Sequence, residues 1–299
     1  MSKFSMMRLR AAAVLAAGAL ALSGCFMSPG KFTAELALTG PDSFTFSYDG
    51  EIFFAGLSKL AQMGATGSAA FTANCYDEET YESRDCTAEE EAEQRDAWNA
   101  AEAERAAQAK KQAEQMAVMM GGIDPSDPKA ADELVKLLQR HRGWERVVHK
   151  GGGVFDVSYR VTGTMGHDFT FPMIEGFPSV NPFVQVYLRK GGQIRINAPG
   201  FSAQNDDAGG GLGAMMGMGS LAGLAAMGAS EAGNSAEAEA LKSIPAIDGT
   251  FTVRSSPGLR ILANNTDEGP IAGTAGEVLT WQINARSKQI PTALITAGR

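Results

Sequence analysis

Histidine and cysteine are scarce in this chain, three of each in 299 residues, and neither type clusters. His141, His149 and His167 fall at an expected helix end, in a loop and at a turn, without the spacing that a metal ligand set requires. The sequence has no H-E-x-x-H, no C-x-x-C and no P-loop, so the usual signatures of zinc hydrolysis, dithiol redox chemistry and phosphate binding are missing. Gly228-Ala229-Ser230-Glu231-Ala232 approaches a nucleophile elbow but lacks the closing glycine. Gly217-Met218-Gly219-Ser220-Leu221-Ala222 has the relaxed dinucleotide pattern with no strand ahead of it. Basic charge is also in deficit: 26 Lys and Arg face 34 Asp and Glu, for a formal net charge of −8, which does not suit a nucleic-acid partner. The expectation is a non-enzymatic protein with no catalytic residue, metal site or cofactor.

Methionine is present in two groups, Met116, Met119 and Met120, then Met215, Met216, Met218 and Met227. Thioethers can hold Cu(I), but no histidine or cysteine accompanies either group, and gap-filling is the reading adopted. Internal repeats are absent.

The one long uncharged apolar run near the N-terminus is Ala11 to Leu22, preceded by Lys3, Arg8 and Arg10. That is the layout of an export signal, and it is too short to span a bilayer. Small residues then abut a cysteine, and Leu22-Ser23-Gly24-Cys25 resembles the bacterial lipobox. The resemblance implies that residues 1–24 are a signal peptide and that Cys25 is the first mature residue, lipidated on its sulfur and amine. The alternative is a plain signal peptide with a chance cysteine. Phe26 in place of aspartate after the cysteine implies the periplasmic face of the outer membrane. Residues 25–30, with Pro29-Gly30, read as a short lipid-anchored tether. With Cys25 lipidated, Cys75 and Cys86 are left facing each other in an oxidising compartment, and a disulfide between them would staple a polar loop.

Along the mature chain the apolar period switches twice. Phe32, Ala34, Leu36 and Leu38, then Phe44, Phe46 and Tyr48, alternate as a β-hairpin ending at Asp49-Gly50. Ile52, Phe53, Gly56, Leu57, Leu60 and Met63 recur at helical spacing. Thr87 and Glu90 form a capping box at the head of one long Ala- and Glu-rich helix over 87–120, an exposed arm with Trp98 its only large apolar residue before Met116. Asp127-Pro128 starts a second helix with Leu134, Val135, Leu137 and Leu138 facing a core. Strand pattern returns with Phe155, Val157, Tyr159 and Val161, continues through Phe169 and Phe171 to a hairpin of 183–189 with 194–197, and resumes with Phe251, Val253, Leu259, Leu279, Trp281 and Ile283.

These elements predict an α+β fold: an antiparallel sheet domain from 31–73 and 150–299, a helical insertion at 74–149, and a Gly/Met-rich, charge-free loop at 208–230. That stretch also reads as a helix packed on the arm or as a membrane-associated segment, though its glycines weaken both.

Gly24-Cys25, the hairpin around Thr45-Phe46-Ser47-Tyr48-Asp49-Gly50, and Ala263-Asn264-Asn265 followed by Leu279-Thr280-Trp281 resemble a group of proteobacterial envelope lipoproteins, and more distantly the LppM-like lipoproteins. The resemblance implies a periplasm-facing, non-enzymatic domain that binds a lipid or glycolipid. Two functions stay open. One is a lipid- or apolar-ligand-binding module enclosed by Phe44, Phe46, Tyr48, Phe155, Tyr159, Phe169 and Phe171. The other is an envelope structural or assembly protein whose arm contacts a protein partner.

Overall fold

The computed structural model describes residues 27–59, 71–77, 82–177, 182–202 and 243–297. Cys25, Phe26, Leu60, Met63 and the 208–230 stretch lie outside the described residues.

The fold is mostly β-sheet with a few helices. The strands are β1 (Met27–Leu38), β2 (Ser43–Phe54), β3 (Cys75–Tyr76), β4 (Ser83–Arg84), β5 (Trp144–Gly151), β6 (Val154–Thr164), β7 (Phe169–Phe171), β8 (Val184–Arg189), β9 (Gln193–Asn197), β10 (Asp248–Ser255), β11 (Leu259–Asn264), β12 (Ile271–Gly273), β13 (Gly276–Asn284) and β14 (Thr292–Ala297). The helices are α1 (Ala88–Ala100), α2 (Glu102–Met119) and α3 (Ala130–Arg140).

In place of the single antiparallel sheet expected, two larger sheets share one core. A seven-stranded sheet runs β12-β13-β10-β1-β2-β6-β5, and a five-stranded sheet runs β11-β14-β9-β8-β7. The first is mixed, because β1 pairs parallel with β10, Lys31 opposite Asp248 through Leu38 opposite Ser255. A parallel neighbour needs a long crossover, and here it joins strands from opposite ends of the chain, a pairing that local alternation does not encode. Alternation did place the faces: Phe32, Ala34, Leu36 and Leu38 of β1 and Phe44, Phe46 and Tyr48 of β2 are buried, with more polar residues between them. Inward rings bridge the sheets, Phe171 and Phe183 meeting Tyr48, and Phe201 meeting Phe32 and Phe251.

Several boundaries differ from the sequence reading. β1 begins at Met27, so residues 27–30 of the expected tether are sheet, and Met27 is buried. The helical reading of Ile52 to Leu57 is overturned: β2 continues through Gly50 to Phe54, and Ala55–Leu57 is a single 3-10 turn. Ile52, Phe53 and Phe54 are all fully buried, and a short continuous apolar run has no period to separate strand from helix. The long arm helix is two shorter helices that meet at Ala101. Asn99, a weak helix former whose amide competes for the backbone, precedes the break. The next helix starts at Ala130 with no side-chain cap, because the Asp127 carboxylate accepts the Lys129 amide and turns the chain in ahead of it. Its Leu134 and Leu138 are buried, and it packs on β5, which puts 144–149 in the sheet rather than the insertion.

Candidate functional surfaces

Cys25 lies outside the described residues; in the sequence Phe26 alone separates it from Met27, the first residue of β1.

Cys75 and Cys86 are joined by a disulfide with their Cα atoms 5.2 Å apart, across the β3–β4 ribbon. The ribbon is clasped to α1 by side chains the sequence supplies nearby. Gln94 Nε2 donates to the Asn74 carbonyl at 3.2 Å and Gln94 Oε1 accepts the Asn74 amide at 3.1 Å. Arg84 meets Glu90 through both guanidinium nitrogens, at 2.9 and 2.6 Å. Glu90 also closes the capping box with Thr87, each side chain taking the other's backbone amide. Arg84 above all, with the Thr87 amide, holds the Glu90 carboxyl down at about 2. Arg95 lies over the Phe71 ring at 4.7 Å, and Trp98 meets that ring edge-on at 5.9 Å. Yet α1 buries no residue, and in α2 Val118 is 77% exposed. The chain rejoins the core at Met120 and Ile123.

The aromatic residues proposed as a ligand enclosure pack on one another instead. Phe46 contacts Tyr159, Phe169 and Phe171; Tyr48 contacts Phe171; Phe44 contacts Phe169; Phe155 contacts Phe54. Tyr48 is fully buried with its hydroxyl donating to the Glu51 carbonyl at 2.7 Å, and burial, with Glu51 adding to it, pushes its pKa well up. Burial raises Tyr159 as well. Both changes oppose ionisation, so neither phenol is prepared as a base.

The histidines are not brought together. His141 caps the end of α3, with Nε2 buried and 3.7 Å from a Glu175 carboxylate oxygen; His149 stacks on Phe155; His167 is exposed. Among the described residues no three of His, Cys, Asp and Glu converge on a point that could hold a metal ion. No described helix is long and apolar enough to cross a membrane.

The asparagine and tryptophan of the late strands form a latch that nothing in their local sequence indicates. Asn265 Oδ1 accepts Trp281 Nε1 at 3.0 Å and the Thr292 amide at 2.9 Å, while Asn265 Nδ2 donates to the Ile290 carbonyl at 2.8 Å. One side chain thus ties β13 of the large sheet to β14 of the small one. Next to it is an open polar cleft of about 310 Å³ whose walls include Asp267, Glu268, Gln282 and Lys288. Asx turns are the only local signal for this region, and Asn264 makes one by accepting the Thr266 amide at 3.0 Å.

No protein-family model matches the chain, and neither a curated protein nor a solved structure matches it.

Proposed function

We propose that the chain is a lipid-anchored, non-enzymatic protein of the bacterial envelope, facing the periplasm from the outer membrane, whose helical arm is the contact surface for a protein partner. The observation that carries the choice is α1. It is fixed by a disulfide-stapled ribbon, a capping box and a two-point Arg84–Glu90 pair, yet it buries nothing. Helices in folded proteins draw most of their stability from packing an apolar face, so a helix organised without one presents a surface rather than a core. The lipid-enclosure reading is the weaker one because the rings it needs are packed against each other.

Three measurements test this. Cys25→Ser should abolish incorporation of labelled palmitate and release the protein from the membrane fraction; a variant that still takes up label would remove the anchor. Replacing residues 88–115 by a short Gly-Ser linker should leave a cooperative melting transition, lowered by about 2–4 °C for a chain of this size. A photocross-linking residue at Glu93 should yield one discrete protein adduct in cells, and the same residue at Arg160 on the sheet should not. Loss of the transition would make the arm part of the core and end the proposal.

A further inference from the structure

Charge is unevenly divided between the two main sheets. Strands of the seven-stranded sheet mix signs, and opposite charges pair there: Arg254 with Glu35 at 3.0 Å and Arg146 with Asp156 at 2.5 Å. Strands of the five-stranded sheet contain Arg189, Arg195 and Arg260 and no Asp or Glu, in a chain whose overall balance is acidic. All three arginines lie on its outer face, because Val186, Ile194, Ile196 and Ile295 point inward and are fully buried.

Strand pairing gathers these cations. Arg189 is opposite Gln193, Gln193 opposite Thr296, and Thr296 opposite Arg260, so a row across four strands carries a guanidinium at each end. At the usual strand spacing those ends are about 14 Å apart, and Arg195, one outward position beyond Gln193, is about 7 Å from the row. Lys190 adds a fourth cation at the β8–β9 turn. Among the described residues none of the four has a carboxylate partner. Arg189 instead lies 5.5 Å over the Tyr187 ring. Glu277, reaching over from β13, is engaged by the Ile261 amide.

Between the cations the face carries amides and hydroxyls from Gln193, Asn197, Thr292 and Thr296, with Leu294 opposite Arg195. Beside Arg195 there is a notch of about 210 Å³, with Asn264 and Thr292 at its rim and Ala263, Ala293 and Leu294 supplying a small apolar patch. Guanidinium forks match carboxylates in two-point geometry, and amides and hydroxyls match sugar hydroxyls. A ligand suited to all of these is hydroxylated along its length and carries negative charge at intervals. We propose that the outer face of the five-stranded sheet binds an acidic polysaccharide, with Arg195 and its notch seating one carboxylated sugar and Arg189 and Arg260 meeting charges on either side. The face shares no residue with the arm and does not depend on the anchor.

The test uses the full chain in neutral polyoxyethylene detergent micelles and fluorescent polygalacturonate oligomers as the probe. Binding should weaken with salt, and neutral dextran should not bind. The variant Arg189→Gln/Arg195→Gln/Arg260→Gln, with Arg→Glu at the same positions as a second form, should bind at least about tenfold more weakly while melting like the parent. Arg142→Gln/Lys150→Gln/Arg160→Gln removes the same charge from exposed positions on or beside the other sheet, and should bind like the parent. Equal losses in the two sets would show only a net-charge effect and overturn the site. Absence of polygalacturonate binding by the parent would also overturn it, as would tighter binding to vesicles containing phosphatidylglycerol than to the oligomers.

Discussion

Phe171→Ala is expected to cost about 3–5 kcal/mol, the range for truncating a buried aromatic that the surrounding structure cannot collapse to fill. Phe171 comes from β7, three residues long, and is 1% exposed. Its ring centroid is 4.7 Å from that of Tyr159, 5.0 Å from Phe46, 5.2 Å from Tyr48, 5.9 Å from Phe183 and 6.0 Å from Trp144. Three of these partners belong to β2 and β6 of the opposite sheet and one to β5, so the ring fills the space where the sheets meet. Removing it withdraws contact area from five large side chains at once, and rigid strands on both sides limit relaxation. Against a typical domain stability of about 5–15 kcal/mol, that is a large fraction. Urea unfolding should show a lower midpoint with an unchanged slope. Phe169→Ala, at a half-buried position of the same strand, should cost less. A Phe171→Ala loss below about 1 kcal/mol would mean that the sheets do not pack through this ring.

How much of this was legible in the sequence depends on the range of the interaction. Alternation in β1, β6 and β13 was readable because one face is buried and the other wet, which fixes a period of two in adjacent residues. The capping box and the Cys75–Cys86 loop were readable because their partners are a few residues apart. The parallel β1–β10 pair was not, since it joins residues more than two hundred apart and leaves no local trace. The division into two sheets was hidden for the same reason: Phe169–Phe171 alternates like its neighbours, and only tertiary packing assigns it to the smaller sheet. The acid-free face was only half legible: Arg189 and Arg195 share a predicted hairpin, but Arg260 lies more than sixty residues further on and joins their surface only after β9, β14 and β11 pair. The Asn265 latch needs three partners, from β13, the loop before β14 and the start of β14, which no spacing rule joins.

Gly50→Ala should prevent folding or cost more than about 4 kcal/mol, beyond the usual range for a point substitution. The reading of Asp49-Gly50 as a strand end missed what the glycine does inside the strand. β2 passes through Gly50 opposite Phe32, where the β1–β2 register shifts between Pro29 and Phe32. The residue sits at φ 148°, where side chains are disfavoured, and an added Cβ would lie 2.2 Å from the Lys31 carbonyl oxygen and 2.6 Å from the Phe32 Cα. Those are backbone atoms of a strand held on its far side by β10, so they cannot swing away as the end of a flexible side chain could. Relief requires β1 and β2 to separate, and that would uncover Phe32, Tyr48 and Ile52 at the centre of the core. Gly191→Ala provides the comparison. Gly191 has a φ of 83° in the β8–β9 turn, but nothing lies within 4 Å of an added Cβ, so only the backbone penalty of about 1–2 kcal/mol applies. Thermal melting of both variants separates steric overlap from φ preference. Gly191→Ala should retain a cooperative transition a few degrees lower, and Gly50→Ala should show none or be insoluble. Equal, small shifts would mean that β1 and β2 are not in contact at the bulge, and the central pairing of the large sheet would be wrong.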